Sequence, residues 1–107
     1  MTHKHGRTDA NQQKVIDALH DLGASVTSLA DIGQGCPDLL VGWRELNFLL
    51  EVKDGNKPPS KRKLTPSESE WHDAWRGQVH IVYSGVAAVE YVIETAHHIL
   101  DNDGLPF

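Results

Sequence analysis

Gly35-Cys36-Pro37-Asp38-Leu39-Leu40-Val41-Gly42 and, shortly after it, Phe48-Leu49-Leu50-Glu51-Val52-Lys53-Asp54 decide how this chain is read. Both runs have the composition of buried strands, yet they carry an Asp, a Glu and a Lys at their polar edges. Charges in strands this apolar are costly unless they are paired or bind a metal ion, so their presence asks for a chemical reason.

Asp38 and Glu51 offer hard oxygen ligands to Mg²⁺ or Mn²⁺; Mg²⁺ usually keeps several waters and takes only one or two protein carboxylates. An ion held there lowers the pKa of a bound water and neutralises charge on phosphate oxygens, so phosphodiester hydrolysis would account for the charged set. Alternate strand residues share a face. Glu51 and Lys53 are therefore expected to project together while Val52 points into the core, its carbonyl free to act as a further metal ligand. Lys53 would orient the attacking water or balance phosphate charge. A bent hairpin connected by Gly42-Trp43-Arg44-Glu45 would bring Asp38 up to Glu51. Glu-x-Lys alone is a weak signal, since it arises by chance on the order of 0.4 times in a chain of this size. Its weight comes from its place at the end of an apolar strand, after a Pro-Asp strand and before a helix. The competing reading makes Asp38 a strand start after a turn, and Glu51 and Lys53 an exposed cross-strand charge pair.

This arrangement resembles the PD-(D/E)xK nuclease superfamily, and within it the small stand-alone VRR-NUC branch, often phage-encoded and related in fold to Holliday-junction resolvases. The likeness runs from about Asp9 to Val89. It includes Gly35-x-Pro37-Asp38, Glu51-x-Lys53, the stretch from Leu64-Thr65-Pro66 to Trp71, and Gly77-Gln78-Val79, all in family order. The resemblance implies an α/β, restriction-endonuclease-like αβββαβ core with a C-terminal helix. It also implies metal-dependent cleavage of DNA, branched or duplex, with Asp38 and Glu51 as ligands and Lys53 as the catalytic lysine. Two positions depart from the family pattern. A Glu common on the first helix is replaced by Gln12, which can hold a metal-bound water but brings no charge, and a Gln often found on the helix after the lysine strand is replaced by Glu68.

The 107 residues make one small domain, 9–107, after a polar tail, 1–8, that is expected to be disordered. A chain of this length has room for one core and not for a separate DNA-binding domain. No stretch approaches the ~20 apolar residues of a membrane helix, and no signal-peptide pattern opens the chain, so a soluble cytoplasmic protein is expected, in the host cytoplasm if phage-encoded. The single cysteine, Cys36, excludes an internal disulfide and any multi-cysteine zinc site. It is read as a small residue in a turn before it is read as a reactive thiol. Neither His3 and His5 nor His97 and His98 have the spacing of a zinc site.

A net charge of −5 argues at first against nucleic acid, but phosphate responds to the local field and not to the total. Lys57, Lys61, Arg62 and Lys63 follow the lysine strand in a Pro/Ser/Lys segment expected to be a loop kept out of helix and sheet by Pro58 and Pro59. Such a loop at the mouth of the site would grip a DNA backbone. Seen in isolation, it is better read as a solvated basic linker with no partner.

The remaining elements follow from periodicity and punctuation. Val15, Ile16, Leu19 and Leu22 give Asp9 to Leu22 helical spacing, with Gly23 as its stop. Ala24 to Leu29 alternates into a first strand. Thr65-Pro66-Ser67-Glu68 is a strong helix start, with a Thr cap, Pro at the first position and Glu closing a capping box. That helix is expected to reach Arg76, followed by a strand over Gln78 to Ser84 and a helix over Val86 to Leu100.

Several residues carry two readings. Gln12 is either an accessory site residue or the partner of an Asp9 cap, and Gln78 either an accessory contact to substrate or a strand-start amide satisfying backbone groups. Glu68 is assigned to capping, Trp71 and Trp75 to the core, and His72 to an exposed helix face. The function these readings support is a structure-specific, Mg²⁺- or Mn²⁺-dependent DNA endonuclease acting as a homodimer. The alternatives are a catalytically weak DNA-binding or assembly subunit with the same fold, and a nickase or exonuclease.

Overall fold

The structure, a computed structural model, describes residues 10–103. The expected tail, the Asp9 cap, His3 and His5 lie outside the described residues. The chain runs α1 (Ala10–Leu22), β1 (Ser25–Ser28), β2 (Leu39–Trp43), β3 (Leu46–Val52), a single 3₁₀ turn (Pro59–Lys61), α2 (Pro66–Ala74), β4 (His80–Val82) and α3 (Gly85–Asp103). The four strands form one sheet in the order β1-β2-β3-β4. The first three are antiparallel neighbours, and β4 returns through α2 to lie parallel to β3. This is the expected αβββαβ core with its C-terminal helix.

The alternation of β2 and β3 separates two faces. Leu39, Val41, Phe48 and Leu50 point to one side and are closed over by Val15 and Leu19 of α1 and by Ala88, Val92 and Ala96 of α3. Those apolar positions fall four apart on each helix, which is what lets both helices bury a stripe on the same sheet face. Asp38, Leu40, Leu49, Glu51 and Lys53 therefore face the other side, where α2 lies. No helix among the described residues is long and apolar enough to cross a membrane.

Three expectations need correcting. Gly42 and Trp43 pair with Asn47 and Leu46, so the connection is only Arg44-Glu45. Both adopt positive φ, 53° and 70°, as a two-residue hairpin of primed type requires. Without the Asn or Gly that usually marks such a turn, the sequence carries no signal for it, and the Arg44 guanidinium over the Trp43 ring is the contact that accompanies the strain. The basic segment also contains the 3₁₀ turn Pro59–Lys61, since Pro at its first position is compatible with a helical turn. Helix α2 stops at Ala74, with Trp75 already extended as its C-cap.

Candidate active site

Pro37 and Asp38 immediately precede β2, so Asp38 stands at the entry to the strand. Its carboxylate Oδ2 accepts the backbone N–H of Val52 at 2.7 Å, taking the place of a strand partner at that point in the hairpin. Leu39 pairs with Leu50, so Asp38 stands opposite Glu51, as a hairpin of these strands requires. Glu51 is 2% exposed, one of two buried polar or charged residues, with Gln12, among the described residues. Burial, then the hydrogen bond to Asp38 and the charges of Asp38 and Glu68, push the Glu51 carboxyl up to about 9 against the opposing pull of Lys53. Two acids in contact under a low-dielectric cover cannot both ionise cheaply.

Lys53 lies on the same face, as alternation predicts. Its Nζ is 3.8 Å from Glu51 Oε2 and donates to Glu68 Oε1 at 2.8 Å. Partial burial would pull the Lys53 ammonium down, but the bond and charge of Glu68, with the charges of Glu51 and Asp38, outweigh it and leave it raised. The same contact, with the Thr65 backbone N–H, holds Glu68 below the ordinary carboxylate range despite its burial. Glu68 closes the capping box with Thr65 as expected and also fixes the lysine head. The capping role is sufficient to explain a Glu at this position locally, which is why it hides the second role in the sequence.

His72 corrects the sequence reading. It is not exposed: its Nε2 is buried and lies 3.8 Å from Glu51 Oε1, and neither atom has a hydrogen-bond partner. A signal for this is present, since Glu68 and His72 are four apart and so share the face that α2 turns to the sheet. Asn11 is a residue that sequence reasoning misses; its Nδ2 donates to the Lys53 carbonyl at 2.9 Å and brings the first turn of α1 to the end of β3. Gln12, beside it, is buried. Gln78 gives both halves of its amide to the Leu49 backbone, accepting from Leu49 N–H at 2.7 Å and donating to Leu49 O at 3.0 Å, the behaviour of a strand-start amide.

The basic loop is not uniform. Lys57, Lys61 and Lys63 are exposed, whereas Arg62 is half-buried with its guanidinium 6.0 Å from the centre of the Tyr83 ring. Trp71 and Trp75 stack, with ring centres 4.5 Å apart, but they are not core. Helix α2 buries no residue, and Trp75 is 45% exposed. Burial and the charges of Glu51 and Asp38 push the Cys36 thiol up, away from the reactive thiolate, in keeping with a turn residue.

The donors fit a hard divalent cation. Glu51 Oε1 is a buried acceptor without a partner, and a cation is the partner that would return its carboxyl to the ionised form. Among the described residues no three His, Cys, Asp or Glu side chains form a ready-made metal cluster. A pair of carboxylates is, however, what Mg²⁺ ordinarily takes from a protein while keeping its waters.

No family model and no curated protein matches the chain. Among solved structures, one described as a VRR_NUC domain matches with a TM-score of 0.57 and 28% identity, over 86% of this chain and 97% of that one. The architecture is that of a VRR-NUC nuclease fold, an α/β sheet with a C-terminal helix.

Proposed function

We propose that this chain is a Mg²⁺- or Mn²⁺-dependent nuclease that hydrolyses phosphodiester bonds of DNA. The observation that carries the reading is Glu51: a carboxylic acid almost wholly buried against a second one, Asp38, at the open end of a strand, within reach of Lys53. A fold selected for stability alone gains nothing from that pair. The likeness to a VRR_NUC domain supports the same reading.

Asp38 and Glu51 would hold the ion, with the Val52 carbonyl as a further ligand. When bound, it supplies an activated water and neutralises charge on the phosphate. Asp38 is fixed for this by the Val52 N–H, so its position does not depend on a mobile rotamer. Lys53, aimed by Glu68, carries a positive charge toward the reacting phosphate, where it orients the attacking water or offsets developing charge. Glu51 is approached by His72 on its Oε1 side and by Lys53 on its Oε2 side, which limits its rotation. Lys57, Lys61 and Lys63 would contact backbone phosphates on either side of the cut.

Branched DNA and a homodimer belong to the same proposal: one chain carries one such site, and two copies would act on two strands of a junction. A panel of four-way junction, flap, nicked, duplex and single-stranded DNA with Mg²⁺ or Mn²⁺ tests it. Cation-dependent cleavage of at least one branched form, faster than of plain duplex, is expected. DNA binding without cleavage of any member would instead identify a binding or assembly subunit, in line with Gln12 standing where the family carries a Glu.

A further inference from the structure

The sheet face that carries Asp38 and Glu51 continues into an open groove. Leu40 and Leu49 are partners in the β2–β3 register and follow the Asp38–Glu51 level by two residues on each strand, or ~7 Å. With Asn47, Trp75, Gly77 and Gln78 they line a space of about 390 Å³. Leu40 is 38% exposed and Trp75 45%. The indole is fixed by its stack on Trp71, and Gly77 leaves room for it: a Cβ at position 77 would stand 2.9 Å from Trp75 Nε1. The Gln78 amide, bonded to Leu49, keeps the floor rigid.

An apolar, preformed groove with an open aromatic ring has an occupant to be identified. Two exposed large side chains are far short of the roughly 800 Å² per partner that a stable protein interface buries, so a second copy does not fit the size of the patch. A single planar ring system does. We propose that the groove takes one unpaired nucleobase of the strand being cut, next to the scissile phosphate, with its face on Trp75 and its edge toward Asn47. This rests on Asp38, Glu51 and Lys53 being the hydrolytic site. A paired base is held within its own stack and cannot reach a protein ring, so the groove selects DNA that presents an extrahelical or displaced nucleotide at the cut. Stacking on an indole accepts every base, so structure is selected and sequence is not.

The test compares the full chain with Trp75→Leu, Trp75→Phe and Gly77→Ala on three DNAs: a paired duplex, the same duplex with one bulged nucleotide, and the same bulge with an abasic residue. Binding is measured by fluorescence anisotropy with Ca²⁺, and cleavage separately with Mn²⁺. The parent should bind the bulged base about tenfold tighter than either of the other two. Trp75→Leu and Gly77→Ala should bring the three affinities together, while Trp75→Phe, which keeps a ring, retains part of the preference and guards against a merely misfolded variant. Equal parent affinities, or a preference unchanged in Trp75→Leu, would overturn the base pocket. So would a dimer that becomes monomeric in Trp75→Leu, because a second copy would then fill the groove. Failure of the hydrolytic reading is visible separately, as absence of Mn²⁺-dependent cleavage of all three DNAs by the parent.

Discussion

Glu51, Asp38 and Lys53 stand out in the sequence because a charge at the edge of an apolar strand has few inexpensive explanations. Glu68 and His72 do not, because a helix cap and an exposed helix face already account for them; only the docking of α2 shows that Glu68 grips Lys53 and that His72 faces Glu51. Asp38→Asn or Glu51→Gln should abolish cleavage while DNA binding persists or tightens, since negative charge facing phosphate is removed; comparable cleavage by either variant would remove the site as drawn. Lys53→Ala should slow turnover by orders of magnitude with little change in Mn²⁺ affinity, measured by single-turnover kinetics and calorimetry together. The raised carboxyl of Glu51 also makes stability depend on pH. Because the folded state holds that proton and the unfolded state releases it near 4.5, the contribution of this group without divalent cations is fully present at low pH and is lost as pH rises toward about 9. In thermal melts with EDTA, Glu51→Gln should lack this decline, so its advantage over the parent should grow across that window.

Helix α2 is the element through which the site is assembled, and it buries no side chain of its own. It is held instead by the Glu68–Lys53 pair, by His72 against Glu51, and by the approach of Gly35 to its first turn. Gly35 has φ +83°, and a Cβ there would collide with the Ser67 backbone carbonyl. Gly35→Ala should therefore cost about 1–3 kcal/mol in urea unfolding and displace α2 from β3, lowering cleavage more than the stability loss alone would. An Ala variant with parental stability and activity would show that this approach is not what docks the helix. The start of α2 is legible from Thr65-Pro66-Ser67-Glu68, because a capping box is local chemistry; its docking is tertiary, and the spacing of Glu68 and His72 marks only a shared helix face, not what that face meets. The basic loop belongs to the same scale. Every duplex phosphate that the protein ceases to neutralise lowers the salt slope of binding by about 0.9. Replacing Lys57, Lys61 and Lys63 by Ala should flatten the slope accordingly, whereas Arg62, turned onto Tyr83, should contribute less to it. An unchanged slope in the folded triple variant would return the loop to a solvated linker.

Across the whole molecule the sheet divides stability from chemistry. Phe48, Leu50, Leu39 and Val41 seal one face under α1 and α3, while the alternate residues of the same strands carry the carboxylates and the open groove on the other. This division follows from period-two alternation, which is why the fold class is readable from two short runs, whereas the Arg44-Glu45 turn and the exposed Trp75 are not. The proposed role of the Asp38–Glu51 pair as a cation site is tested most directly by calorimetric titration with Mn²⁺ near pH 7, repeated in buffers of different ionisation heat. A carboxyl held up to about 9 must release its proton when a cation binds it, so the parent should bind Mn²⁺ with close to one proton released, and Glu51→Gln should lose both the binding and the release. Absence of Mn²⁺ binding by the parent, or binding that survives unchanged in Glu51→Gln, would contradict it.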